Sequence, residues 1–129
     1  MTTHYYHLNE DGTTTPFRSN VVQDPESFSK EIADAWSRDR TIRRDTIGPF
    51  VVSTVFLVLD YAYFYGGTPL LFETMIFGPQ GHHLDEYQTR YRSIEEAVEG
   101  HEVAASMVRI SMKQEKEIAD SKAISADRS

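Results

Sequence analysis

The longest apolar run in the chain, FVVSTVFLVLDYAYFYGGTPLLFETMIFG over residues 50–78, limits what the rest can fold into. It is rich in Val, Phe, Leu, Thr and Tyr, which suit a pleated, half-buried surface. Gly66-Gly67 divides it, and a Gly-Gly pair accepts the positive φ angles of a two-residue hairpin turn. The run therefore predicts two antiparallel strands, 51–64 and 69–77, with Tyr65 opposite Thr68. This register sets Phe64 against Pro69, Ala62 against Leu71, Asp60 against Glu73, Val58 against Met75 and Phe56 against Phe77. Side chains alternate between faces along a strand, and neither resulting face is polar. The hairpin is thus expected at the centre of a sheet, with both sides at least partly covered.

Like charges directly opposed destabilise a sheet, and carboxylates among apolar neighbours need partners. Asp60 and Glu73 are therefore the acidic pair to explain. Arg90, Arg92 or His101 can neutralise them, or a bulge can separate them. The alternatives are that both reach solvent at the hairpin end or that they form a ligand or metal site. His101 falls on the apolar stripe of a C-terminal helix. A buried structural histidine is the simple reading; the sharper one joins His101 to Asp60 and Glu73 as a ligand-binding cluster.

The flanking segments predict the remaining elements. Tyr5, Tyr6 and Leu8, the turn Asn9-Glu10-Asp11-Gly12 and the run Thr13-Thr14-Thr15 make a first hairpin, with Pro16 marking a short or edge strand. Asp24-Pro25 starts a helix to about Arg38, capped by Asp24, with Phe28, Ile32, Ala35 and Trp36 on one stripe and Trp36 as a core anchor. Thr41–Ile47 reads as a short strand, Gly48-Pro49 as a turn, and 85–91 as a further strand. Ser93 and Glu96 make a capping box that opens the second helix. Gly100 weakens that helix locally and allows close approach to the sheet. Beyond Ile118 the helix is expected to fray. Together these give an α+β fold with a mainly antiparallel sheet of about four to six strands and two helices packed on it. Residues 1–120 form a single domain and residues 121–129 a mobile tail.

Composition narrows the function classes. The net charge of −7, from 20 acidic and 13 basic residues, argues against a general nucleic-acid binder. The absence of cysteine removes disulfides, thiolate metal sites and cysteine nucleophiles. The apolar run is broken by Asp60 and two glycines, so no membrane span is expected, and the first residues do not resemble an export leader. No phosphate loop, nucleophile elbow or metalloprotease helix motif is present. No metal or other cofactor is expected; His4, His7, His82 and His83 match no metal spacing with a third ligand. Arg40, Arg43 and Arg44 form a local basic cluster that can meet an acidic partner or blunt a strand edge.

The strings Ser53-Thr54-Val55-Phe56-Leu57, Leu59-Asp60, Leu71–Phe77, Arg90-Tyr91, Glu96-Ala97 and Gly100-His101 resemble a family of small proteins from actinobacterial phages and related mobile elements. The resemblance covers residues 47–103. Members often carry histidine after the aspartate, where Tyr61 stands here. The family has no settled activity or cofactor. The resemblance implies a phage accessory protein in the bacterial cytoplasm. The leading expectation is a non-enzymatic protein that binds and modulates a host or phage macromolecule. A ligand- or metal-binding protein or enzyme built on Asp60, Glu73 and His101, and a minor virion component, are the alternatives. Self-association is possible through exposed tyrosines such as Tyr61, Tyr63 and Tyr65.

Overall fold

The computed structural model describes residues 4–127. The main sheet is an antiparallel meander of β3 (Thr41–Ile47), β4 (Phe50–Phe56), β5 (Phe72–Phe77) and β6 (Gln88–Tyr91), in that spatial order. A separate hairpin pairs β1 (Tyr6–Leu8) with β2 (Thr14–Pro16). Helix α1 (Pro25–Ser37) precedes the sheet and helix α2 (Ile94–Asp127) follows it. The α+β expectation holds. β4 and β5 are central, as their composition requires, and the Asn9–Gly12 turn closes the first hairpin with Gly12 at φ 87°.

The register of β4 and β5 departs from the expected one. Phe56 opposes Phe72 rather than Phe77, and Val55, not Asp60, opposes Glu73. Gly66 and Gly67 do adopt positive φ, but they sit in a wide connection rather than a two-residue turn. Three residues explain this. Val58 takes φ 69°, an outlier for a β-branched residue, and bends the chain out of the sheet. Pro69 has no amide hydrogen to continue the ladder. Asp60 prefers backbone amides to a cross-strand partner: its Oδ1 accepts from Ala62 N and Leu70 N, each at 2.8 Å. The segment after the bend then pairs elsewhere. Tyr6 N donates to Val58 O and Asp60 N to His4 O, which fastens the first hairpin to the end of β4.

The slip of an odd number of residues reverses the faces of β5 relative to the expectation. Phe50, Val52, Thr54 and Phe56 of β4 and Phe72, Thr74 and Ile76 of β5 are buried on the side where α2 lies. Ala97, Ala104, Ala105 and Val108 supply the helix side of this core, and their small size lets the helix sit close. Gly100 takes that to its limit, because the Tyr91 ring occupies the space where a Cβ would stand. Ser93 caps α2 as expected: Glu96 N donates to Ser93 Oγ at 3.2 Å. Helix α2 runs on past Ile118 to Asp127, a stretch that includes the helix-favouring Ala119, Lys122 and Ala123.

Helix α1 covers the first hairpin. Phe28 meets Tyr5 edge-on, and Ile32 and Ala35 join Phe17, Phe56, Val58 and Leu71. Two expectations fail here. Asp24 makes no side-chain cap, although Pro25 does begin the helix. Trp36 is 50% exposed and carries the Arg40 guanidinium on its ring, so it is not a core anchor.

Glu31 ties this unit together. Its carboxylate accepts from Ser19 Oγ, the amides of Arg18 and Ser19, and His7 Nε2. Burial pushes the carboxyl up, but these bonds outweigh burial and hold it down from 4.5 to about 2. A depressed carboxyl stabilises the fold fully above its unfolded value and loses that contribution as pH falls toward the folded value. The wild-type chain is therefore expected to lose stability between pH 4.5 and about 2 more steeply than Glu31→Gln. Urea titrations across that window measure the difference; parallel curves would remove Glu31 from this role.

Candidate functional site

Asp60, Glu73 and His101 are not brought together. Asp60 lies in the β4–β5 connection and is satisfied by backbone amides. Glu73 lies on the sheet face away from α2. There its Oε2 accepts from Gln88 Nε2 at 2.6 Å and Arg90 Nε at 2.9 Å, so the simple reading holds for this residue through Arg90. His101 lies on α2, against the opposite face of the sheet. The proposed three-residue ligand cluster therefore has no geometric basis, and its failure follows directly from the register.

His101 belongs to a different network. Its Nε2 donates to Asp45 Oδ2 at 2.7 Å, and its Nδ1 lies 2.7 Å from Thr54 Oγ1. Thr54 Oγ1 in turn lies 2.5 Å from Thr74 Oγ1. The carboxylate can only accept, so it fixes the proton on Nε2. In the neutral ring Nδ1 then accepts from the Thr54 hydroxyl, and Thr54 accepts from Thr74. The His101 bond holds the Asp45 carboxyl below its ordinary range. A carboxylate–imidazole–hydroxyl line can activate a nucleophile, but Thr54, Thr74 and His101 have no exposed surface. No substrate reaches the hydroxyl. The line fixes the register of α2 on the sheet through polar bonds in an otherwise apolar interface.

The basic cluster is dispersed in the same way. Arg40 donates to Phe56 O at 3.0 Å and stacks on Trp36. Arg43 pairs with Glu102 of α2 at 2.8 Å, while Arg44 projects from the other face of β3. A cavity of about 70 Å³ lies between the first hairpin, the end of α1 and β3, lined by His7, Leu8, Arg38, Arg40 and Phe56. Small-molecule sites typically run to several hundred Å³, so this one is too small for a metabolite.

What the structure does assemble is an aromatic projection. Asp60 pinches the base of the β4–β5 connection through Ala62 and Leu70, and Leu57 N donates to Leu71 O below it. Tyr65 N and Gly66 N both donate to Ala62 O, which coils the tip. Tyr61 packs beneath the Arg90 guanidinium at 4.2 Å, and the Tyr63 ring lies tilted against His4, centroids 4.3 Å apart. Phe64 and Tyr65 remain 92% and 90% exposed. Arg92 Nη1 reaches within 3.8 Å of where a Gly67 side chain would begin, adding a cation to the tip. The sequence placed Tyr61, Tyr63 and Tyr65 among possible contact residues but missed Phe64. As a strand, 51–64 would have alternated these residues between two covered faces.

Among the described residues, no group of three or more His, Asp or Glu side chains is placed to hold a metal ion, and no helix is long and apolar enough to cross a membrane. Compared with models of known protein families, with curated proteins and with solved structures, the chain matches none.

Proposed function

We propose that this is a non-enzymatic binding protein that docks on a host or phage protein through the aromatic tip Tyr61–Tyr65. In this reading it is a phage-type accessory protein working in the bacterial cytoplasm. The observation that carries the reading is the 92% and 90% exposure of Phe64 and Tyr65 on a connection whose base Asp60 fixes. Large aromatics held in place and flanked by arginine are the side chains that dominate protein interfaces. Each ring presents on the order of 150–250 Å² of surface. Fully burying a large apolar side chain of this kind contributes roughly 1.5–3 kcal/mol relative to leaving it exposed. Asp60 acquires a role here as the residue that orients the tip.

Phe64→Ser combined with Tyr65→Ser is expected to leave the melting temperature within about 2 °C of wild type, because exposed side chains support little of the fold. The same variant is expected to weaken partner binding by at least 100-fold, or about 3 kcal/mol. Cross-linking and capture from host lysate, run in parallel on wild type and variant, reads this out. Capture of nothing by the wild type, or equal capture of the same protein by both, would count against the proposal.

A further inference from the structure

We infer that the sheet face turned away from α2 is a self-association surface, on which a second copy of this chain packs sheet to sheet. This inference is independent of the partner reading for the aromatic tip. An antiparallel sheet with one face in water normally alternates apolar inward and polar outward residues. Here four of the six outward positions of the two central strands are apolar, Val51, Val55, Met75 and Phe77, with Ser53 and Glu73 between them. Phe77 is 49% exposed, and Val51, Val55 and Met75 are only partly buried. The strands thus have the composition of a sheet covered on both sides, while α2 covers one.

Charge selects the occupant. Each copy carries a net −7, so most of its surface repels a second copy. Of the 20 acidic residues, only Glu73 occupies an outward strand position on this face, and Arg90 neutralises it at 2.9 Å. Arg44 and Arg90 stand at opposite margins, and the centre between them carries Ser53 and the Glu73 carboxylate, which Arg90 pairs. Two acidic copies can therefore meet here without opposing unpaired carboxylates. The area matches a weak dimer. Four strands about 4.8 Å apart and some 20 Å long present roughly 400 Å² per copy. Two such faces together bury about 800 Å², the size of a weak, transient contact. The association is therefore concentration-dependent, and the packed dimer has α2 of each copy on the outside.

Sedimentation velocity of the full chain, from about 5 µM to about 500 µM at physiological salt, tests this over the range expected for a weak interface. The expected result is a shift from the 14.8 kDa monomer toward twice that mass as concentration rises. Met75→Arg is expected to leave the chain monomeric throughout, with an unchanged circular dichroism spectrum. Phe77→Glu, at a more exposed position, gives the same reading if Met75→Arg impairs folding. Phe64→Ser with Tyr65→Ser is expected to dimerise like wild type, which separates this face from the tip. A wild type that stays monomeric at every concentration would overturn the inference. So would dimerisation that survives both face substitutions, or dimerisation lost only with the tip.

Discussion

Gly100→Ala is expected to destabilise the protein by about 1–2 kcal/mol, against the direction that helix propensity predicts. Alanine is better than glycine in a helix interior by about 1 kcal/mol, so an exposed Gly100 would make this substitution stabilising. At Gly100, however, a Cβ collides with Oη, Cζ and Cε1 of Tyr91. Tyr91 cannot retreat, because β6 holds it opposite Phe72 and its ring lies against the core. Overpacking of this kind costs about 1–3 kcal/mol and occasionally more. The same geometry gives a companion result. Burial pushes the Tyr91 phenol up, and a side-chain hydrogen bond with Thr74 opposes that rise. Tyr91→Phe removes this buried hydroxyl together with its bond and is expected to change stability by no more than about 1 kcal/mol. It should also recover part of the Gly100→Ala loss, since Oη is among the colliding atoms. Denaturant midpoints for the two single variants and the double variant measure both effects. A stabilising Gly100→Ala would mean that α2 does not sit this close to the sheet.

The second large effect is expected at His101. His101→Ala leaves a cavity in the α2–sheet interface and removes partners from Thr54 and Asp45. Large-to-small substitution in a core and an orphaned buried hydroxyl together cost about 3–4 kcal/mol. Thr54→Val, which breaks the line but keeps the volume, is expected to cost less, about 1–2 kcal/mol. Equilibrium unfolding gives both values. If His101→Ala costs no more than about 1 kcal/mol, the value of a single neutral hydrogen bond, the network does not organise the interface as described.

How far the sequence could be read depended on whether the deciding interactions were local. The first hairpin, Pro25 at the start of α1, the Ser93 cap and the small residue at Gly100 all rest on residues a few positions apart. The central pairing was legible in kind but not in register. Gly-Gly alone reads as a tight turn, while Pro69 and the affinity of Asp60 for backbone amides favour a wide one. The helical stripe of α1 placed Trp36 at the right angle, but periodicity does not say how far the body extends to cover it. For His101, burial followed from its stripe. Its partner Asp45 lies 56 residues away, on a strand whose alternation shows no preference for a buried imidazole. The candidate cluster failed for a physical reason: it depended on one register, and the observed slip moves Glu73 to the other side of the sheet from His101.

The residues that carry the phage-family resemblance fall largely in this framework. Thr54, Thr74 and His101 form the buried line, Glu73 pairs with Arg90, and Tyr91 packs under Gly100. Their roles here are structural.

The most direct test of this account is the pairing of β4 with β5 in solution, read from backbone nuclear Overhauser contacts in an isotope-labelled sample. Cross-strand contacts are expected between Thr54 and Thr74, Val55 and Glu73, and Phe56 and Phe72, with the His101 ring close to Thr54. Contacts joining Asp60 to Glu73 and Val58 to Met75, with the His101 ring near either carboxylate, would contradict it.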